Sequence, residues 1–234
     1  MSAWIALLRP HQWLKSGFVF VGLLFGHAWG DGGIVQGVLL AAAAFSLAAS
    51  TVYVGNDLVD RERDRQHPVK RLRPLASGAL TVATAWGIGT SCLGAALLLA
   101  WLASPTVFLI IVAYLLLNVG YSLGLKHVVL LDVFIIAAGF MLRILAGTLG
   151  VGIAPSHWLL LCGLMVTLFL GFAKRRAELK ALEGDAGGHR QVLDDYDPVL
   201  LDKLIGVCAA ATIVSYSLYT VSADTAALHR TGGL

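Results

Sequence analysis

Charge is scarce in this sequence: Asp, Glu, Lys and Arg supply 13% of the 234 residues, while 58% are hydrophobic. An ordinary soluble domain carries about twice that share of charge, so a soluble globular protein is excluded. Cysteine is equally sparse. Cys92, Cys162 and Cys208 each lie in an apolar run, without the pairing or spacing of a disulfide or metal framework, and read as packing residues. The seven His residues show no HxxxH or HExxH spacing, which removes the usual zinc sites. No short apolar core with a small-residue cleavage site stands at the start, so no cleavable signal peptide is expected.

What the chain has instead is apolar length. Runs able to cross a hydrocarbon core of about 30 Å lie near 18–29, 34–54, 83–103, 106–125, 130–150, 158–172 and 204–221. They predict an all-α, polytopic transmembrane helical bundle of about seven spans, because a lone strand cannot satisfy its backbone in lipid. The cations fall in alternate connections: Arg9 and Lys15, then Arg61 to Arg73, then Lys126, then Lys174 to Lys203. The positive-inside rule makes those connections and the N-terminus cytoplasmic, in a multi-pass protein of the cell (inner) membrane. The turns around Asp31, Ser104 and Pro155 carry no Lys or Arg and read as external, as does the tail 222–234. Topology thus explains the basicity, and nucleic acid is not needed as a partner. No feature sets an oligomeric state, and a homo-oligomer stays open.

Against this background Asn56, Asp57, Asp60 and Asp64 stand out, directly after the second run. On a helix at about 100° per residue they fall within an arc of roughly 100°. Carboxylates so arranged repel one another unless a cation sits among them. A hard divalent ion, above all Mg²⁺ shared with substrate phosphates, suits such oxygen ligands. The connection 65–80 then holds Lys70, Arg71 and Arg73 among His67-Pro68, Arg73-Pro74 and Ser77-Gly78. It reads as an ordered loop whose cations can bind phosphate; fixing topology and touching anionic lipid is the alternative.

Deeper in the chain, Arg143 lies well inside an apolar segment, where an unpaired Arg costs at least ~2.5 kcal/mol. It should face the bundle interior toward a carboxylate or an anionic ligand, with Gly139 leaving room for one. Asp132, eleven residues earlier, shares its helical face. Lys174 and Glu178 are four apart and also share a face. Residues 184–188 read as a polar loop, and the acidic run 194–197 as a solvated one.

These residues carry a resemblance. Asn56-Asp57-x-x-Asp60-x-x-x-Asp64 is similar to the first aspartate-rich motif of the UbiA superfamily of intramembrane prenyltransferases. Arg9-Pro-His-Gln-Trp-Leu-Lys15, His67-Pro-Val-Lys-Arg-Leu-Arg-Pro74, Tyr121-Ser-Leu-Gly-Leu-Lys126 with Leu131-Asp132, and Ala173-Lys-Arg-Arg-Ala-Glu178 resemble its decaprenyl-phosphate phosphoribosyltransferase branch. The resemblance implies one transmembrane domain over 1–234, with nine helices in the family, so that a chain of about seven would lack the last two. It also implies that Lys15, Tyr121, Lys126, Asp132, Lys174 and Glu178 belong to the substrate site. Superfamily members that use prenyl diphosphates carry a second aspartate cluster. Here Asp132 stands without one, with Lys126 and Arg143 as its neighbours in sequence.

One carboxylate cluster beside separate cations suits one metal-bound diphosphate plus further phosphate monoesters. Phosphoribosyl diphosphate and a polyprenyl phosphate together bring those groups. The expected reaction is Mg²⁺-dependent transfer of 5-phosphoribosyl to a decaprenyl-type phosphate, releasing diphosphate, on the way to a lipid-linked pentose or arabinan precursor. Asp57, Asp60 and Asp64 would be the catalytic carboxylates holding the metal, with Asn56 orienting them. Lys70, Arg71 and Arg73 would steady the donor, and Lys126 and Arg143 the lipid phosphate. An aromatic prenyltransferase of quinone or haem pathways is the alternative enzyme, and a membrane transporter the alternative of another class.

Overall fold

The computed structural model describes residues 2–182 and 196–222. The polar loop 184–188, the acids Asp194 and Asp195 and the tail 223–234 lie outside the described residues. Helix α1 (Ala3–Leu8) leads into a 3₁₀ helix, Pro10–Phe20, which continues into α2 (Val21–Gly26). The long helices α3 (Gly32–Val59), α5 (Val82–Ala103), α6 (Pro105–Leu123), α7 (Leu131–Ala146), α8 (His157–Leu182) and α9 (Pro198–Val221) follow, with the short α4 (Arg61–Gln66) after α3. No strand occurs among the described residues.

Side-chain caps mark the helix starts. The Asp31 carboxylate accepts from the Gly33 and Ile34 amides, Thr81 caps α5, and Ser104 and Asp197 cap α6 and α9, each just before a Pro at the first helical position. These supply partners for amide groups that a helix start leaves unbonded.

Among the described residues, six helices are long and apolar enough to cross a membrane. The first apolar run is built differently, as the composite element Pro10–Gly26. At about 2.0 Å per 3₁₀ residue and 1.5 Å per α residue it is about 30 Å long, enough for a seventh crossing. α8 and α9 overrun the expected spans, α8 reaching Leu182 and α9 starting at Pro198. Their polar ends are ordinary helix outside the apolar stretch. Connection 65–80 is ordered, as expected: Leu75, Ala76 and Leu80 are buried, and the Ala76 carbonyl accepts from Arg65 Nε at 3.3 Å.

Within the most apolar window of each, α3 and α7 are 56% buried, against 17–22% for the other long helices. These two form the interior, and they carry the polar residues singled out from sequence. The composite first element and α6 pack against both, α5 packs on α3, and α8 joins α7 to α9. Close approach of the first element to α7 depends on glycine. A Cβ at Gly147 would collide with the Val19 main chain, and one at Gly22 with the Gly147 main chain. Small residues at such crossings let membrane helices approach closely. Gly147→Ala is therefore expected to lose roughly 1–3 kcal/mol of stability, read as a lowered melting temperature in detergent; an unchanged melt would show that this crossing can relax.

Candidate active site

The end of α3 delivers Asn56 and Asp57, and the helix breaks at Asp60 (φ −84°, ψ 1°) before α4 delivers Asp64. One continuous helix through Asp64 was expected. The break is gentle, because the Asp60 amide still donates to Asn56 O and the Asp64 amide to Asp60 O, both at 2.8 Å. Asp57 and Asp64 therefore reach the same side, and both are buried. Arg73 Nη1 donates to Asp57 Oδ1 at 3.1 Å and to Asp64 Oδ2 at 2.7 Å, while Arg9 Nη2 donates to Asp57 Oδ1 at 2.6 Å. The result is a chain of alternating charge, Arg9–Asp57–Arg73–Asp64. Asn56 Oδ1 accepts from Ser122 Oγ at 2.9 Å, which ties α3 to α6. Asp60 is half-buried.

Arg9 was not among the candidate residues, and its placement is firmly determined. Its backbone is left-handed (φ 51°, ψ 59°), uncommon for a residue with a side chain. The corner is pinned to α3: Ser50 Oγ donates to Leu8 O at 2.8 Å and accepts from Trp13 Nε1 at 2.9 Å. The guanidinium stacks 4.9 Å from the Tyr53 ring centre. Ser50, Tyr53 and Asp57 follow one another on one face of α3, so three successive turns hold and aim this arginine.

Other expected residues are less closely drawn in. Lys70 and Arg71 are exposed on a 3₁₀ turn, and Lys126 is half-buried on another beside half-buried Tyr121. None of the three cations makes an ion pair with another described residue. Arg143 is buried, but no carboxylate among the described residues meets it. Nη1 donates to Gly139 O at 2.8 Å and Nη2 to Tyr114 Oη at 3.1 Å, with the rings of Phe45, Tyr114 and Phe140 around it. Its Nε has no hydrogen-bond partner among the described residues. The room expected beside Gly139 is thus filled by the arginine itself. Lys15 lies within electrostatic reach of Arg143, and the two like charges repel unless an anion joins them.

Asp132 and Arg143 do not act together. Asp132 Oδ2 accepts from Arg175 Nε at 2.7 Å and Oδ1 from Tyr196 Oη at 2.5 Å, and Tyr196 Oη accepts from the Leu130 amide at 2.9 Å. Arg175 Nη1 also donates to Glu178, which Lys174 approaches to 3.8 Å across one helical turn. This second network joins α7, α8 and the start of α9. Tyr196 is buried, so the acidic run is not a solvated loop at that position, whereas Asp197 is exposed and caps α9. Arg175 and Tyr196 escaped the sequence reading; the one available signal was that a near-membrane Asp132 requires a partner, which spacing alone does not name.

Residues 16–223 match the UbiA prenyltransferase family. The chain belongs to this family. It is 36% identical to the decaprenyl-phosphate phosphoribosyltransferase of Corynebacterium glutamicum over 220 residues, covering 92% of this chain and 66% of that protein. Against the protein of the same name from Mycobacterium tuberculosis it is 34% identical, covering 94% of this chain and 74% of the relative. In fold it is similar to a UbiA homolog from Archaeoglobus fulgidus bound to DMAPP and Mg²⁺, with a TM-score of 0.77 at 19% identity, covering 97% of this chain and 82% of that one.

Whether this UbiA-family site suits a divalent ion turns on its donors. Asp57 and Asp64 offer carboxylate oxygens to one point, marked by Arg73 Nη1, with Asp60 and the Asn56 amide oxygen adjacent in the same turns. That is a hard oxygen set of the kind Mg²⁺ takes. No group of three His, Cys, Asp or Glu is already gathered among the described residues. Arg73 occupies the point that the Asp57 and Asp64 oxygens share, so a metal held by this set would have to take the place of that guanidinium.

In the second network, burial and the hydrogen bond given to Asp132 push the Tyr196 hydroxyl above the ordinary tyrosine range, only partly opposed by the Leu130 amide and Arg175. A raised folded value means that this stabilisation is complete below the unfolded tyrosine pKa of about 10 and is lost as pH rises through the folded value. Wild type should lose melting temperature more steeply above about pH 10 than Tyr196→Phe; parallel profiles would remove Tyr196 as the titrating group.

Proposed function

We propose that the protein transfers the 5-phosphoribosyl group of phosphoribosyl diphosphate to a polyprenyl phosphate, with the site at the cytoplasmic face of the membrane. The observation that carries this reading is the unequal state of the two acidic networks, taken with the likeness to decaprenyl-phosphate phosphoribosyltransferases. Asp132 and Arg175 are 0% and 1% exposed, and both Asp132 oxygens and the Arg175 Nε and Nη1 are taken up by protein partners. Arg9 and Arg73, which hold Asp57 and Asp64, are 20% and 29% exposed and can be exchanged for a ligand. One exchangeable carboxylate site beside unpaired cations suits a single metal-bound diphosphate with phosphate monoesters.

In this reading Asp57, Asp60 and Asp64 hold Mg²⁺ with Asn56 orienting them. The bound ion supplies positive charge for the departing diphosphate. Arg73, with Lys70 and Arg71 at the mouth, binds donor phosphate oxygens. Arg143 and Lys15 receive the acceptor phosphate, with Lys126 nearer the surface. An acceptor phosphate oxygen forms the new bond to C1 as the bond from C1 to the diphosphate oxygen breaks, and the electron pair leaves with diphosphate. Attack from the opposite face inverts the anomeric centre. No general base is needed, because the acceptor is already anionic near pH 7. Tyr121, Lys174 and Glu178 border the same face of the bundle, while Asp132 acts through Arg175 to set the position of Glu178.

Labelled phosphoribosyl diphosphate incubated with the purified protein and a polyprenyl phosphate should yield a labelled lipid. Transfer from a prenyl diphosphate to an aromatic acceptor in its place would select the alternative enzyme. Asp57→Asn should lower kcat on the order of 10²–10³-fold with the fold retained, and full activity would remove the carboxylate from the mechanism. Arg143→Gln should raise KM for the polyprenyl phosphate about tenfold or more and leave KM for the donor unchanged. An unchanged acceptor KM would take Arg143 out of the site.

A further inference from the structure

The four paired charges of the chain Arg9–Asp57–Arg73–Asp64 balance. Arg9 and Arg73 contribute two positive charges, Asp57 and Asp64 two negative ones, and the carboxylates are each only 3% exposed. A divalent cation entering alone would take the carboxylates and leave two guanidinium groups facing it without an anion. A diphosphate entering alone would draw off the guanidinium groups and strand two buried carboxylates. Each partial event breaks buried pairs without replacing them, the costly case for charges removed from water. A metal–diphosphate complex avoids both penalties, because every group changes one oppositely charged partner for another.

Arg9 is built for such an exchange. Its left-handed backbone is fixed by the hydrogen bonds at Ser50, so only the side chain has to move. The Tyr53 ring beneath the guanidinium keeps a favourable contact with the cation while its hydrogen-bond partner changes. Its 20% exposure places it on the accessible side of Asp57, unlike Arg175, which is enclosed with Asp132. We infer that Arg9 is a donor-binding residue, and that Arg9 and Arg73 occupy the carboxylates as exchangeable cations, so that metal and diphosphate enter as one complex. On entry the carboxylates pass from guanidinium to metal, and the guanidinium groups pass from carboxylate to phosphate oxygen. The inference rests on the reading above that the ligand is a metal-bound diphosphate, and it adds a residue and an order of binding that the reading does not contain.

The test is a binding measurement on the full chain in detergent, with Mn²⁺ followed by electron paramagnetic resonance and inorganic diphosphate as second ligand. Saturating diphosphate should tighten Mn²⁺ binding on the order of 5–150-fold, and Mn²⁺ should tighten diphosphate binding by the same factor. Arg9→Gln releases Asp57 from one guanidinium. It should bind Mn²⁺ alone more tightly than wild type does, yet lose about tenfold or more of the coupling, and Arg9→Lys should regain part of it. Thermal melts identify variants that fail to fold; if Arg9→Gln is one of them, Arg73→Gln gives the same readout. Mn²⁺ binding that is equally tight with and without diphosphate overturns the exchange and leaves the donor reading standing. Unchanged coupling in Arg9→Gln removes Arg9 from the site. Failure of the folded wild type to bind Mn²⁺ with either inorganic diphosphate or phosphoribosyl diphosphate overturns the donor reading as well.

Discussion

A buried carboxylate at the end of a membrane helix needs a cation beside it, and Asp57 has two. Arg9 reaches it from the corner before the first 3₁₀ helix and Arg73 from the loop after α4, the latter also holding Asp64. Two separate stretches of chain are tied to the end of α3 by this one requirement. The corner at Arg9 is shaped to meet it, through Ser50 and Trp13, and the loop 65–80 is ordered around it through Leu75 and Leu80. Without these cations the two carboxylates would face each other at low dielectric, where repulsion and desolvation both oppose their ionised forms.

The same physics produces a different outcome at Asp132. There the pairing with Arg175 is closed off, with the Tyr196 hydroxyl completing the carboxylate and the Leu130 amide completing Tyr196. Removing one member of such a pair leaves a buried charge that nothing nearby can satisfy, so this network serves to join α7, α8 and α9. The difference between the two networks lies in the burial of the arginines and not in the kind of ion pair. Enclosed arginines make a clamp; arginines open on one side make a site that a charged ligand can enter by substitution. Arg143 is a third case, a buried cation with aromatic faces and a carbonyl around it and no carboxylate among the described residues.

Much of this was legible in the chain itself. The helical class, the crossing segments other than the first, the aspartate motif after the second run and the Lys174–Glu178 pairing follow from apolar length and helical periodicity, which are local properties. The first element was visible as a short apolar run but not as a 3₁₀ element, and the close approach of its Val19 and Gly22 to Gly147 joins residues far apart along the chain. Arg9 lay in a stretch whose cations read as marking the cytoplasmic side. Asp132 and Arg143 share a helical face in sequence, yet their side chains serve separate networks.

The sequence by itself determined that the protein is an all-helical membrane protein and that one acidic motif stands among cations directly after a long apolar run. Low charge and long apolar runs leave no other solution in lipid. Only the tertiary structure decided which cation meets which carboxylate. Ion pairing acts over a few ångströms between residues such as Arg9 and Asp57 or Asp132 and Arg175, far apart along the chain, and no periodicity encodes those distances. That pairing encloses the acid at Asp132 with Arg175 and leaves Asp57 and Asp64 held by arginines that are partly exposed.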